Sequence, residues 1–198
     1  MARRSDHSRD ELAALVLEAA RKIVTEEGAD AVTMRKMGTM IGYAPGSIYN
    51  AVGDLEAVHR EVNALTLKDM VAKLEGVLAV HQPGMIECAL AIAEHYVDFV
   101  TQNPRLWAAL LAQPPQPGAP LAESYSRPRA RLIEIVATAI APLFTDDMAR
   151  RKAVIALWAA LQGVASLASG GNYQFLASDL APKDIARSIV RRYLTGTE

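Results

Sequence analysis

Cysteine is almost missing from this chain: Cys88 stands alone among 198 residues. A single thiol cannot build an internal disulfide framework, and such usage fits a reducing compartment, here expected to be the cytoplasm. Metal-ligand spacing is missing as well. His7, His59, His81 and His95 are scattered along the chain, and one cysteine adds little to them, so no metal site is expected. Residues 1–9 are too polar for a signal peptide, and no apolar run reaches about 18 residues, the length a membrane-crossing helix needs. No membrane partner follows. A surplus of one charge is also lacking, with a formal net charge of −1. No nucleophile–base pair, paired catalytic carboxylates or phosphate-cradling loop stands out, which speaks against an enzyme and gives no cofactor to expect. Alternating Ile/Val/Thr-rich runs bounded by turn pairs are absent too. What remains is a chain that is 51% hydrophobic and rich in Ala. It reads as an all-α protein, large enough for one or two domains with a sizeable core.

The most informative stretch is Thr33 to Val52, TMRKMGTMIGYAPGSIYNAV. It predicts two short helices, about 34–41 and 45–51, joined by a tight turn. The Thr33 hydroxyl suits an N-cap. Met34, Met37 and Ile41 fall at helical spacing. Gly38 leaves room for a close crossing, and Gly42 can end the helix in a left-handed conformation. Pro45 suits the first turn of the second helix, which Ile48 and Val52 anchor. This is a helix-turn-helix pattern, in which the second helix enters the major groove of DNA.

The same residues resemble the DNA-binding motif of the tetracycline-repressor (TetR) family of bacterial regulators. The similarity runs without a gap from Thr33 through Val52 and includes Arg35-Lys36, Gly38, Gly42 and Ile48-Tyr49. Val52-Gly53-Asp54-Leu55-Glu56 resembles the hinge that leads into the family's next helix. The resemblance implies phosphate contacts for Thr33, Ser47 and Tyr49 and a base contact for Arg35. Lys36 joins them, with Tyr43, Ala44, Pro45, Gly46 and Asn50 facing the groove. Ala44, Pro45 and Gly46 bring no side-chain donor, so readout leans on Arg35, Tyr43, Asn50 and apolar contact with thymine methyls. Leu55 departs from the family, which commonly has a phosphate-contacting lysine there.

Charge distribution supports a local DNA face. Residues 1–60 hold slightly more acidic than basic side chains, yet residues 31–53 carry Arg35 and Lys36 and no acid. Arg3 and Arg4 sit on a leading arm.

Elsewhere the chain reads as a succession of helices. The first should start at Ser8, which has capping-box spacing with Glu11, and should bury Leu12, Leu15, Ala19 and Ile23 before Gly28 ends it. A long helix should run from Leu55 to about Val77, capped by Asp54, with a stripe of Val58, Val62, Leu65 and Met70. The helix 85–101 is apolar on two sides and should be central. Cys88, Ile92, His95, Tyr96 and Phe99 on it, with Trp107 from a short helix opening at Pro104, are the expected ligand-pocket residues. His95 is read first as an interior or rim histidine. Residues 113–120, QPPQPGAP, form a loop. A helix over 121–144, bent or restarted at Pro128, should present Leu132, Ile133, Val136 and Ile140. Thr145 should cap the next helix, which runs to about Ser169. Its small residues Ala156, Ala159, Ala160, Gly163 and Ser166 would let another helix approach closely, and Trp158, Leu161 and Val164 give bulk. The last helix, from Pro182 to before Gly196, carries Ile185, Ile189 and Tyr193. These two sets of residues are the expected homodimer interface, since the late helices resemble the family's four-helix dimer bundle. Trp158 and Gln162-Gly163 also resemble a ligand-domain subtype marked by a Trp and a His-Gly pair, with glutamine replacing the histidine.

Together these observations predict a three-helix helix-turn-helix head over residues 1–53 and a helical ligand-binding and dimerisation bundle over 54–198. The expected function is a ligand-responsive regulator, a repressor, with a pseudo-palindromic double-stranded DNA operator and a small-molecule effector as partners. The competing reading is a helical small-molecule-binding protein or enzyme whose N-terminal helices are scaffold only.

Overall fold

The computed structural model describes residues 7–112, 122–170 and 173–196. The expected loop at 113–120 and the arm bearing Arg3 and Arg4 lie outside these residues. The described chain is helical and contains no strand. It runs α1 (Arg9–Glu27), α2 (Met34–Ile41), α3 (Pro45–Val52), α4 (Leu55–Val80), α5 (Ile86–Gln102), α6 (Pro104–Ala112), α7 (Glu123–Ile140), α8 (Asp147–Ser169), α9 (Tyr173–Leu176) and α10 (Pro182–Thr195).

Packing separates two compact units, one formed within the segments Met1–Thr66 and Arg105–Tyr125, the other within Leu67–Pro104 and Ser126–Glu198. This division falls inside α4 and not at the end of the motif. The first part of α4 and most of α6 therefore count with the head.

In the first unit, Ser8 and Glu11 close the capping box: the Ser8 amide donates to Glu11 Oε2 at 2.7 Å and the Glu11 amide to Ser8 Oγ at 3.3 Å. The buried face of α1 is turned from the expected stripe. Leu12, Ala19 and Ile23 are buried, but Leu15 is only half-buried, and Val16, Ala20 and Val24 are fully enclosed. That face packs with Val32, Met37 and Ile48, while Val58 and Val62 of α4 and Leu106 of α6 complete the same core. Asn63, which with Thr66 is a buried polar residue of α4, donates to the Ala109 carbonyl at 3.5 Å. Asp54 caps α4 by accepting from the Ala57 amide at 2.7 Å.

The second unit is built around α5, which packs on α8 and α10. Its residues are buried on more than one side, including Leu90, Ile92, Tyr96, Val97 and Phe99. Ion pairs from α10 to α5, Arg187 to Glu94 and Lys183 to Asp98, lie along the contact.

Several expectations are corrected here. The helix expected over 121–144 is Glu123–Ile140, and Pro128 sits inside it, where it removes one amide donor from the second turn. Its core face is Ile135, Ala139 and Ile140, while Ile133 is exposed. The cap of α8 is Asp146 and not Thr145. The Asp146 carboxylate accepts from the amides of Met148 and Ala149, at 3.3 and 2.8 Å, which two oxygens can do at once. The short helix α9 was not anticipated. By length and composition α8 alone among the described helices could cross a membrane. Here one face of it, with Val154, Leu157, Leu161 and Val164, is buried in the unit.

Candidate functional site

In the head, local chemistry positions the motif. The Thr33 hydroxyl accepts from the Lys36 amide at 3.1 Å, which starts α2. Gly42 ends it at φ 76°. A side chain at Gly38 would overlap the Tyr43 carbonyl oxygen and press on Ile48 Cδ1, so α2 and the turn approach at a distance only glycine permits. Ala44 and Pro45 then open α3, whose Ile48 is fully buried.

These anchors leave a polar rim outside. Arg35, Ala44, Pro45, Gly46, Tyr49 and Asn50 are exposed, and Ser47 is half-buried. Tyr49 is 59% exposed and therefore does not fill the core. Thr33 is exposed with its hydroxyl already engaged by the cap. Lys36 is placed differently from the rest: its ammonium pairs with Glu27 Oε2 at 2.5 Å and ties α2 to the end of α1. Tyr43 is half-buried, and its hydroxyl lies 2.7 Å from His7 Nδ1. The rim thus gathers the uncapped N-terminus of α3, Arg35, two tyrosines and an asparagine on the head. A helix N-terminus favours anions, although in α3 Pro45 carries no amide hydrogen and the Ser47 amide donates to the Ala44 carbonyl at 2.9 Å. Leu55 is half-buried and packs against the head core.

In the second unit, a narrow apolar cavity of about 40 Å³ lies among Leu74 of α4, Ile92 and Tyr96 of α5, Val136 and Ile140 of α7, Leu157, Trp158 and Leu161 of α8, and Val190 of α10. Its walls carry no charged side chain. The Tyr96 hydroxyl donates to Gln162 Oε1 at 2.5 Å, and Gln162 Nε2 donates to Ser166 Oγ at 2.8 Å. Burial raises the Tyr96 phenol well above its usual range, and a hydrogen bond from the Trp158 indole opposes this only in part. The phenol is therefore protonated and a donor at neutral pH.

Of the expected pocket residues, Ile92 and Tyr96 line this cavity. Cys88 and Phe99 are buried in α5 but do not border it. His95 donates from Nδ1 to the Ala91 carbonyl at 2.8 Å and is a half-buried helix residue. Trp107 is buried in the first unit. The lining from α4, α7 and α10 was missed, because apolar residues beside a cavity share their sequence pattern with any core residue.

A second, more polar cleft of about 310 Å³ lies by the end of α5 and the start of α10, where Lys183 pairs with Asp98 at 3.5 Å and the Tyr173 hydroxyl has no hydrogen-bond partner among the described residues. Among the described residues no cluster of His, Cys, Asp and Glu comes together to hold a metal ion.

The outer face of α8 is apolar and uncovered. Ile155 and Leu167 are exposed, as are Ala159, Gly163 and Ser166, and Trp158 is 52% exposed; Ala156 and Ala160 are half-buried. On α10, Ile185 and Ile189 are half-buried and Tyr193 is exposed, while Ala186 and Val190 hold the core contact.

Residues 89–193 match the model of a tetracyclin repressor-like C-terminal domain. An uncharacterized HTH-type transcriptional regulator, YobS of Bacillus subtilis (strain 168), is 29% identical over 104 residues, which is 49% of this chain. The match spans 50% of that relative's length. A protein of unknown function from Rhodococcus sp. RHA1 has a similar structure, with a TM-score of 0.78 at 18% identity over 98% of both chains. The transcriptional regulator FadR from Bacillus subtilis, solved in complex with stearoyl-CoA, gives 0.69 at 11% identity over 93% of this chain and 99% of its own. At these identities the two structures establish a shared fold.

Proposed function

This chain belongs to the tetracycline-repressor-like (TetR) family, and on that premise we propose that it is a one-component transcriptional regulator, a repressor released from its operator by a small molecule. The observation that carries the reading is the head's rim. Arg35 on α2 and Tyr49 and Asn50 on α3 are exposed, while Ile48 and Gly38 hold that helix against α2. Thr33, Ser47 and Tyr49 would contact phosphates, and Arg35, Tyr43 and Asn50 would read bases, with Ala44, Pro45 and Gly46 letting the backbone approach. Lys36 is better suited to bracing the head through Glu27.

A homodimer is part of the proposal. The uncovered apolar face of α8, with the Ile185, Ile189 and Tyr193 edge of α10, supports it. Two heads related by two-fold symmetry would meet two half-sites of a pseudo-palindrome. The effector site is the apolar cavity of the second unit. A molecule there must spread helices to fit, and α4 continues from that unit into the head's segment. The effector would thus shift the population toward arrangements that no longer match the operator. The stearoyl chain held by FadR supports an apolar effector. Trp158 and Gln162-Gly163 leave the Trp/His-Gly subtype as a proposal only. A place in the cytoplasm, where the DNA lies, belongs to the same reading.

Selection of binding sites from a random double-stranded DNA library tests the reading. Enrichment of a two-fold-related pair of short half-sites is expected. Failure to enrich any sequence, with the protein folded, would leave the helical small-molecule-binding protein as the better reading.

A further inference from the structure

We infer that the cavity takes an uncharged, largely apolar molecule with one hydrogen-bond acceptor at its end, and that Tyr96 recognises this acceptor by giving up Gln162. The inference rests on the cavity being the effector site, and it adds the chemistry of the effector.

The walls contributed by Leu74, Ile92, Val136, Leu157 and Val190 are apolar. Among the lining residues, Tyr96 and Trp158 are the two whose side chains carry a polar atom. A carboxylate entering here would shed its water and meet no cation among the described lining residues, which burial penalises heavily. A neutral acceptor meets a donor instead. Tyr96 has one hydroxyl proton, and it now goes to Gln162 Oε1 at 2.5 Å. That proton cannot serve Gln162 and a ligand together. Releasing Gln162 is inexpensive, because it is only half-buried and its Nε2 stays bonded to Ser166 Oγ at 2.8 Å. Its freed oxygen can take water. The exchange therefore registers the ligand's polar end on a residue whose other hydrogen bond reaches the outer face of α8.

The two sides of this exchange predict opposite effects. Tyr96→Phe removes the donor, so ligand binding weakens. Gln162→Leu removes the acceptor that now holds the phenol's proton, so the ligand need not displace it and binding strengthens. A purely structural role for either residue would weaken binding in both variants.

The test uses 2-nonanone, nonane and nonanoate at neutral pH as probes. Binding is read by calorimetry on the unaltered chain, and by Trp158 fluorescence in a Trp107→Phe background, which leaves one of the two indoles. Circular dichroism checks that each variant is folded. The ketone is expected to bind saturably, and nonane and nonanoate more weakly. Tyr96→Phe should weaken the ketone roughly two- to tenfold, the worth of one hydrogen bond, and Gln162→Leu should strengthen it by a similar factor. Nonanoate binding as tightly as the ketone, both variants shifting the same way, or no saturable binding by any probe would each overturn the inference. None of these measurements involves DNA. A failed site selection would count against the regulator alone, and lost ketone binding beside a normal selection would count against the ligand class alone.

Discussion

Gly38 of α2 lies directly against the backbone carbonyl of Tyr43, closer than any Cβ could tolerate. Tyr43 in turn donates its amide to the Gly38 carbonyl at 3.0 Å. This contact sets the angle at which α3 leaves the turn, and with it the direction of the reading face. Gly38→Ala should destabilise the head by about 1–3 kcal/mol through overpacking and abolish operator binding. Gly46, in contrast, has open space where its Cβ would be. Gly46→Ala should leave stability unchanged or raise it by up to about 1 kcal/mol, as an alanine in a helix does. Thermal unfolding of both variants checks this pair. Equal destabilisation would mean that Gly38 is not the tight point.

Base and phosphate contacts separate in their response to sequence. Tyr49 is exposed, so Tyr49→Phe should alter stability by less than about 0.5 kcal/mol. It should weaken operator and random DNA alike. Arg35→Ala should instead shrink the difference between them. Titrations of operator and scrambled duplexes at one salt concentration give both numbers. A parallel loss on both duplexes in Arg35→Ala would assign Arg35 to the phosphates.

Position 55 tests the family's missing lysine. Leu55 is half-buried and packs on the head core. A lysine there would lay its stem over the same surface and carry its ammonium outward. Leu55→Lys should cost about 1 kcal/mol of stability, while the slope of log K against log salt steepens by about 0.9, the value for one neutralised phosphate. An unchanged slope would mean that this edge of α4 does not meet the DNA backbone.

What the sequence disclosed follows from how local each feature is. The Ser8–Glu11 box, the Thr33 cap, the Gly42 stop and the Pro45 start are each settled by a few neighbouring residues, and they stand where expected. Asp146 and Thr145 are adjacent cap formers, and only the backbone decides that Asp146 meets two free amides. The cavity is the opposite case. Leu74, Val136 and Val190 come from three helices far apart in the chain, and nothing in their spacing separates a wall from a core. Lys36 likewise looks like a phosphate ligand until Glu27, nine residues earlier, is found beside it.

The assembly is open to a direct test at Gly163. It lies on the outer face of α8 with nothing within 4 Å of where a Cβ would be. Among the described residues of one protomer, a Cβ there meets no neighbour, and replacing a helix glycine should if anything stabilise the helix. Gly163→Leu is therefore expected to fold with unchanged helicity. If Ala159, Gly163 and Ser166 lie along a close helix crossing between two copies, the same leucine is inserted twice in one interface. Overpacking of about 1–3 kcal/mol for each insertion then weakens the dimer by tenfold or more. Joining two heads makes the second DNA contact intramolecular, so dissociation removes that advantage. Operator affinity should fall steeply with both heads intact, and sedimentation at several protein concentrations should show the dimer breaking up. If Gly163→Leu stays fully dimeric at low concentration, the copies do not meet along these small residues. The interface then belongs to the Ile185, Ile189 and Tyr193 edge of α10, where Tyr193→Glu becomes the variant that separates them.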